Sequence, residues 1–319
     1  MLRVRCWGSV AVAAAFASVT IARAVSAAAC GGGVVCACGD TVVASALLQQ
    51  DLGVCAGVGL QVRSGAVLDC GGHTLTGSDK PGAWHGIYLD GSTGAEVRNC
   101  RVTAFRRAIR VRGGGSNVIA GNEVFGNRYG IEVASASVAN QVSDNFVHDN
   151  RDEGIHVGTG CDGNEITGNE VSYSRRENLY LLANGGNYVG ANVLHHSGQA
   201  ALYMKHGRGN RIVGNHMRDR PVQLRGDSCG NTFEANELKG DGFKLEAYQN
   251  PSTGAWAYPH DNIVVGGRIR KTDWCFRFYG AYDNRGTDIV TDGRCTPMVE
   301  AERGGLVPSG NVVEVIPRP

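Results

Sequence analysis

The sequence has almost no excess charge and few aromatic residues. Its 319 residues carry 31 Lys and Arg against 30 Asp and Glu, so charge gives no reason to expect a nucleic-acid partner. Aromatic residues make up 7% of the chain, whereas glycine reaches 47 residues. This composition favours a backbone rich in tight turns over a helix-packed core. After residue 29 the chain also lacks the run of about 18 apolar residues that a membrane-spanning helix needs.

The longest apolar stretch lies at the start of the chain. Arg3 and Arg5 precede an apolar run over 6–22, and small residues follow at 25–29. This order is typical of a secretory signal, so residues 1–29 are predicted to be one and the protein to be secreted or periplasmic. A lipoprotein acylated at Cys30 remains an alternative.

Cysteine usage agrees with export. Ten of the 11 cysteines remain once Cys6 is removed with the signal, and an even number in an exported chain favours disulfides. Cys30, Cys36 and Cys38 predict a disulfide-rich N-terminal cap over residues 30–56. A soft-metal site is the alternative, but the cluster has no CxxC pair and no nearby histidine.

Internal repeats dominate the rest of the sequence. Segments of the form small-apolar-x-apolar begin every 20–24 residues, a period that predicts a solenoid. They lie at 86–89, 108–111, 130–133, 154–157, 178–181, 201–204, 221–224 and 242–245.

A second repeated phrase, Asn-x-apolar-x-x-Asn-x-apolar, follows these segments. Because asparagine suits turns and stacked asparagines can bond to one another, the phrase predicts two asparagine ladders at the corners of the coils. The paired positions are Asn117/Asn122, Asn140/Asn145, Asn164/Asn169, Asn187/Asn192, Asn210/Asn215 and Asn231/Asn236.

These repeats predict an all-β fold, a parallel β-helix of roughly 9–10 coils. Apolar residues alternate with polar ones, the period of strands and not of helices. Each coil is expected to supply three short strands, over residues 57–295, with a C-terminal tail at 296–319. Cys70 and Cys100 occupy positions where later coils carry ladder asparagines, so they are predicted to lie on adjacent coils and to form a disulfide.

Two further stretches, 38–42 (CGDTV) and 68–77 (LDCGGHTLTG), complete a resemblance. With the repeats, the sequence resembles bacterial right-handed β-helix proteins of the pectate-lyase-like superfamily from about residue 30 to 315. The resemblance implies a right-handed coil. It leaves function open, because the superfamily includes polysaccharide lyases, uronan epimerases, hydrolases, adhesins and periplasmic proteins that help to load copper into nitrous oxide reductase.

In the enzymes of this superfamily, the first sheet borders the polysaccharide groove. The counterpart here is the sheet made by the small-apolar-x-apolar segments, whose outward positions are rich in Tyr, His and Arg, which suit sugar stacking, carboxylate binding and proton transfer. The main outward column is Tyr88, Arg110, Glu132, His156, Tyr180, Tyr203, Gln223, Lys244 and Arg277. The neighbouring column is Asp90, Arg112, Lys205, Arg225, Glu246 and Tyr279.

Lyase or epimerase chemistry on a uronic acid is the leading hypothesis. We predict His156 or Tyr180 as base, Tyr203 as acid, and Arg225, Lys205 or Lys244 as partners of the substrate carboxylate. An acidic polysaccharide is the predicted partner, and the remaining contacts are assigned to substrate binding. Those contacts are Tyr88, Arg110, Glu132, Gln223, Lys244 and Arg277.

Other functions remain open. A hydrolase needs two carboxylates, whereas only Glu132 is central in the column. A calcium-dependent lyase needs clustered oxygen ligands, which the columns do not offer, so no cofactor or metal is predicted. The alternative to an enzyme is a non-catalytic β-helix, either a carbohydrate-binding or adhesion protein or a copper-maturation accessory protein. We predict a monomer in each case.

Two histidine-containing stretches are further candidates for functional sites. Residues 258–262 (YPHDN) are similar to the Asp-Pro-His-Asp/Glu signature of alginate epimerases, but Tyr258 replaces the leading Asp and Asn262 aligns with an asparagine ladder. The motif is therefore predicted to lie at a corner, where coincidence is the simpler explanation. His195, His196 and His216 hint at a metal site, but surface turn histidines are the favoured interpretation.

Overall fold

A computed structural model describes residues 28–79 and 84–317. Within these ranges every regular element is a strand and no helix is present, so none is long and apolar enough to cross a lipid bilayer. All but the last two residues of the predicted signal, 1–29, lie outside the described residues.

The strands form a right-handed parallel β-helix with three strands in a regular coil, as predicted. The first sheet has 13 strands, each paired with the equivalent strand of the coils before and after it. Its strands are Ala29–Cys30, Thr41–Val42, Leu60–Val62, His85–Asp90, Arg107–Arg112, Tyr129–Ala134, Ile155–Val157, Leu179–Leu182, Leu202–Lys205, Val222–Arg225, Phe243–Glu246, Trp274–Tyr279 and Thr296–Ala301.

The other two ladders are joined into one 22-stranded sheet by the long strand Arg285–Thr291, which pairs with strands of both. The second ladder contains Ala46–Leu47, Val67–Asp69, Glu96–Arg98, Val118–Ala120, Gln141–Ser143, Glu165–Thr167, Tyr188–Gly190, Arg211–Val213, Thr232–Glu234, Ile263–Val265, Arg285–Thr291 and Val312–Pro317. The third contains Leu52–Cys55, Thr74–Gly77, Arg101–Thr103, Glu123–Phe125, Phe146–His148, Glu170–Ser172, Val193–His195, His216–Arg218, Glu237–Lys239 and Arg268–Arg270.

The core is a column of aliphatic side chains inside the coils. Ile109, Ile131 and Ile155 stand directly over one another in the first sheet and are fully buried. Because successive residues of a strand face opposite sides, the intervening residues of the same strands point away from this core. The register predicted from the repeat is therefore confirmed.

Asparagine ladders run along the corners, as the sequence indicates. The side chain of Asn140 donates to Oδ1 of Asn164 at 2.9 Å, and its backbone N–H donates to the same oxygen at 2.9 Å. Asn164 repeats both contacts with Asn187, at 3.1 and 2.8 Å. The Oδ1 of each of these asparagines thus accepts two hydrogen bonds from the asparagine on the preceding coil. Their buried side-chain amides therefore have hydrogen-bond partners.

The solenoid is longer than predicted. It has about 12 turns where 9–10 were expected, because residues at both ends also contribute strands. Strand Ala29–Cys30, at the boundary between the predicted signal and the predicted cap, pairs with Thr41–Val42 in the first sheet. At the other end, Thr296–Ala301 and Val312–Pro317 continue the first sheet and the second ladder, so the predicted tail at 296–319 contributes strands to the helix as far as Pro317.

Four disulfides reinforce this scaffold, and the predicted bond between Cys70 and Cys100 is among them. Its Cα atoms are 4.7 Å apart at the foot of the second asparagine ladder, where the backbone N–H of Cys100 donates to Asn122. The cap cysteines are paired too, so no soft-metal site forms there. The other bonds are Cys30–Cys36, Cys38–Cys55 and Cys275–Cys295, and Cys161 and Cys229 remain thiols.

Candidate functional site

Three of the predicted catalytic side chains form one continuous stack on the first sheet. His156, Tyr180 and Tyr203 are paired in register on successive coils. The ring centroids of His156 and Tyr180 are 4.9 Å apart, and those of Tyr180 and Tyr203 are 5.0 Å apart. Both tyrosines are only 9% exposed, so the stack is more buried than an open groove would require.

Burial controls the protonation of this stack. It lowers the pKa of His156 to about 4, and Arg107 and Arg176 add to the effect. The imidazole is therefore neutral at neutral pH. Burial raises the pKa of Tyr180 far above its usual value, and it raises that of Tyr203 against a smaller opposing effect of Arg225. Of the two candidate bases, His156 is the one whose protonation state allows it to accept a proton.

Two predicted carboxylate partners lie beside the stack. Lys205 and Arg225 are paired in register, and both face the ring of Tyr248. The Lys205 Nζ lies 3.7 Å from the ring centroid and the Arg225 guanidinium carbon 5.1 Å from it. Among residues 28–79 and 84–317, neither cation forms a salt bridge with a carboxylate.

The predicted residues on the coils before the stack form salt bridges within the protein. Glu132 forms salt bridges with Arg107 and with Arg110, the latter at 2.9 Å from Nε to Oε2. Only 8% of Glu132 is exposed, so this carboxylate is neutralised and largely shielded. The structure therefore places Glu132 and Arg110 in an internal ion-pair cluster.

The predicted residues on the coils after the stack also contact other side chains of the protein. Lys244 lies 3.1 Å from Glu246, and the side-chain amide of Gln223 donates to the same carboxylate at 2.9 Å. Arg303, from the last part of the chain, forms a further salt bridge with Glu246. Buried Glu246 thus gathers Lys244, Gln223 and Arg303 around itself.

The two ends of the column carry aromatic pairs. Tyr88 stacks on His85 with ring centroids 4.5 Å apart. Arg277 lies over Trp274, with its guanidinium carbon 3.3 Å from the ring centroid. Both pairs are remote from the stack in the order of coils, so the structure brings together only the middle of the predicted site.

Sequence reasoning missed a buried acidic pair next to Tyr180. Glu153 and Glu177 lie in the turns before their strands, and only 3% of each side chain is exposed. Arg176 contacts both, at 3.0 and 3.5 Å. Burial raises the pKa of both carboxyl groups, although Arg176 opposes the shift. The charges of both carboxyl groups act on buried Tyr180 and raise its pKa. Glu153 and Glu177 each directly precede a repeat segment and are 24 residues apart, as those segments are, and this spacing is the signal that could have found them.

A cleft of about 440 Å³ opens at the corner where the first-sheet strands end. It is lined by glycine and asparagine backbone together with Asp162, His206 and Arg208. His206 directly follows Lys205, and its ring meets Tyr248 edge-on with centroids 5.6 Å apart. The cleft therefore continues from the cationic pair around the corner.

The same corner holds a group of metal-ligand residues. One side-chain ligand atom each of Asp227, Cys229 and His260 lies within 4.8 Å of the other two. His260 belongs to the 258–262 motif, which occupies a corner as predicted: His260 bridges to Cys229, and Asn262 continues the first asparagine ladder.

His195, His196 and His216 form no such group. Each instead contacts a carboxylate. His195 Nε2 lies 3.3 Å from Glu170, His216 Nδ1 lies 3.3 Å from Glu237, and His196 contacts Asp219 at 3.8 Å.

Comparison with known families decides the membership of this chain. The family model described as NosD, periplasmic copper-binding protein, matches residues 39–250, which is more than half of the chain. The chain belongs to the NosD family. The family description and the four disulfides agree with a periplasmic or extracellular location for this NosD protein. No curated protein matches it significantly.

Solved structures similar to this NosD protein are β-helices. The A-module of mannuronan C-5 epimerase from Azotobacter vinelandii is 11% identical, with a TM-score of 0.63 over 89% of this chain and 77% of the module. The Dettilon tailspike protein is also 11% identical, with a TM-score of 0.61 over 86% of this chain and 60% of its own. At this identity the likeness shows the fold alone.

The donor set of this NosD protein fits the metal that the family description names. Thiolate and imidazole are ligands that copper and zinc prefer, and a carboxylate is an acceptable third ligand. Cys229 and His260 supply the first two and Asp227 the third. Asp227 and Cys229 lie within the matched residues 39–250, and His260 lies just beyond them.

Proposed function

We propose that this protein is exported and binds an acidic polysaccharide along the outer face of its first sheet, where it carries out lyase or epimerase chemistry on a uronic acid. The observation that carries the proposal is the pair Lys205 and Arg225, two cations without a carboxylate partner in the described chain, beside the stack of His156, Tyr180 and Tyr203.

The cationic pair is suited to bind the substrate carboxylate. Its neutralisation makes the neighbouring C5 proton of a uronic acid more acidic, because the negative charge that develops on proton removal spreads onto the carboxylate. Tyr248 holds Lys205 and Arg225 on its ring face, which limits their motion and keeps the positive charge in place. Successive coils lie about 4.8 Å apart, close to the length of one sugar unit, so a polymer along the sheet contacts several coils.

Proton transfer follows from the protonation states in the stack. Neutral His156 accepts the C5 proton, and the electron pair of that bond moves into the carboxylate as an enolate. In elimination, the electrons then form the C4–C5 double bond while O4 leaves with a proton from Tyr203. In epimerisation, Tyr203 instead returns a proton to the opposite face of C5. Neither path needs an oxidant or a second substrate.

The first test is an activity screen with polymers of galacturonate, mannuronate and guluronate. Lyase activity gives ultraviolet absorbance from the unsaturated uronate, and epimerase activity gives exchange of the C5 proton with deuterated solvent, seen by NMR. We expect His156→Ala and Tyr203→Phe each to lower turnover at least a hundredfold, in the range typical for loss of general acid–base catalysis. Full turnover in both variants would refute the assigned roles.

Binding is tested separately by calorimetry with the same polymers. Lys205→Gln and Arg225→Gln are each expected to weaken binding about tenfold or more, since a hydrogen bond to a charged group contributes about 1.5–3 kcal/mol. Arg211→Gln is the matched control, because Arg211 lies on the second ladder and contacts Glu234. Binding without turnover would support the non-catalytic carbohydrate-binding alternative, and equal loss in the control would reject the site.

Metal handling is the second candidate function. It is favoured by the family match and by the group formed by Asp227, Cys229 and His260. A bound copper ion would supply redox or metal-transfer chemistry at the corner of the coil. The two functions occupy different residues and can be tested independently.

A further inference from the structure

The corner between the first sheet and the second ladder brings together side chains from two coils. Cys229 and His260 form a parallel bridge between adjacent coils, so their side chains occupy one column. Asp227 precedes Cys229 by two residues on the same corner and reaches His260, with Oδ1 lying 3.1 Å from Nε2. Three different ligand types therefore converge, with Asp227 and Cys229 on one coil and His260 on the next.

We propose that Asp227, Cys229 and His260 bind one thiophilic transition-metal ion through Oδ1, Sγ and Nε2. Their ligand atoms lie within 4.8 Å of one another. Ligands of a tetrahedral ion with bonds of about 2.0–2.3 Å stand roughly 3.3–3.8 Å apart, so small side-chain movements complete the site. The thiolate and imidazole select copper or zinc over magnesium or calcium, which prefer oxygen ligands.

The surroundings of His260 support this assignment. Its Nδ1 lies 2.7 Å from Oδ2 of Asp261, while its Nε2 faces Asp227. A metal ion bound at Nε2 would replace the proton that this nitrogen directs at Asp227, while the Nδ1–H stays bonded to Asp261. A carboxylate behind a histidine in this way orients it and fixes its tautomer at many metal sites. The ring of Tyr282 also stacks on His260, with centroids 4.9 Å apart.

The second oxygen of Asp227 has a separate partner. Arg208 forms a salt bridge with Oδ2, which leaves Oδ1 toward His260. Two-thirds or more of the side-chain surface of Asp227 and His260 is covered, and Cys229 is partly exposed, so the group is held in place near the surface. Three protein ligands with an open position are typical of ions that exchange a ligand or are handed on.

Cys229 is also the cysteine available for such a role. Among residues 28–79 and 84–317, only Cys161 and Cys229 are thiols, and Cys161 is fully buried within the coil. Cys229 is partly exposed at the corner. The pair gives a matched control, since Cys161→Ser removes a thiol without touching the proposed ligands.

The test is anaerobic titration of the full-length protein, with its disulfides intact, with Co²⁺, Zn²⁺ and, against a chromophoric chelator, Cu⁺. We expect one ion per chain and a thiolate-to-cobalt charge-transfer band for the Co²⁺ form. Cys229→Ser should abolish the band, and Asp227→Asn and His260→Gln should each weaken affinity at least tenfold. Cys161→Ser should retain the band and the stoichiometry.

Asp261→Asn tests the positioning role. It should weaken affinity about tenfold while the charge-transfer band stays at the same wavelength, because Asp261 touches the ligand and not the ion. Thermal unfolding without metal confirms that each variant is folded. A stoichiometry below one ion per chain, or a band that persists in Cys229→Ser, would overturn the proposal. Lys205→Gln should bind metal normally, so a failed polysaccharide assay leaves this result unaffected.

Discussion

The asparagine ladder and the outer column of the first sheet are both stacks of polar side chains along the same solenoid, yet they differ in how their polar groups are satisfied. In the ladder each member repeats the same two bonds to the next coil, as Asn140 does with Asn164. In the outer column the side chains change from coil to coil. Nδ1 of His156 and Nε of Arg225 are buried without a hydrogen-bond partner in the described chain.

This difference distinguishes polar groups that stabilise the fold from polar groups that are available for function. A polar group that bonds within the protein contributes to folding, whereas a buried group without a partner costs free energy and needs another explanation. The column itself divides by ion pairing. Glu132 neutralises Arg107 and Arg110, while Lys205 and Arg225 have no carboxylate partner in the described chain. This contrast supports the proposed binding site at Lys205 and Arg225.

Breaking the ladder should have the largest effect. Asn164→Ala leaves the backbone N–H and the side-chain amide of Asn140 without an acceptor. We expect the free energy of unfolding to fall by about 4 kcal/mol, the cost of two buried unsatisfied donors. Denaturant unfolding monitored by circular dichroism measures the change. Glu165→Ala, at the exposed next position, is the control and should change it by less than about 0.5 kcal/mol.

The pH dependence of stability should reveal the buried histidine. The folded pKa of His156 is about 4, below the ordinary value of 6.5, so the unfolded chain binds the extra proton first. Stability is then complete above pH 6.5 and falls as the pH drops toward 4, by about 3 kcal/mol at one pKa unit per 1.4 kcal/mol. His156→Gln should flatten this part of the curve. His85, whose pKa burial also lowers to about 4, retains its own contribution.

An unchanged curve in His156→Gln would contradict the burial argument for the stack. His216→Gln controls for the loss of one histidine, because His216 lies on the third ladder with its side chain 49% exposed.

The smallest effects should distinguish the two halves of the column. Arg110→Met removes one of the two cations around buried Glu132, and we expect it to lower the free energy of unfolding by about 1–2 kcal/mol. Arg225→Met removes a cation without a carboxylate partner and should change stability by less than about 0.5 kcal/mol. Comparable losses in both variants would remove the distinction between them. Thermal and denaturant unfolding of the two proteins side by side make the comparison.

The fold was predictable because its information is periodic. The repeat fixed the inward positions, the asparagine corners and the placement of Cys70 over Cys100, since any residue one coil away lies one strand away. The ends were underestimated because terminal coils depart from the repeat, as Thr296–Ala301 does.

The site was only partly predictable. The stack of His156, Tyr180 and Tyr203 follows from register alone. The residues around the stack do not follow from the register, because they lie outside the outward positions of the first-sheet strands. Glu177 is in a turn and Tyr248 is in an insertion. Whether a cation is neutralised depends on whether its side chain contacts a carboxylate on a neighbouring coil. The spacing of the repeats does not indicate such contacts.

The inserted hairpin of Tyr248–Gln249 and Trp256–Ala257 shows where this architecture accepts extra length. Asn231 still bonds to Asn262 at 2.8 Å although 31 residues separate them, where the preceding neighbours of the same ladder are separated by 21–24. The length of the chain inserted at this corner therefore does not disturb the stacking of the coils. A foreign peptide grafted between the two hairpin strands should be displayed above the cationic pair while the coils on either side keep their alignment.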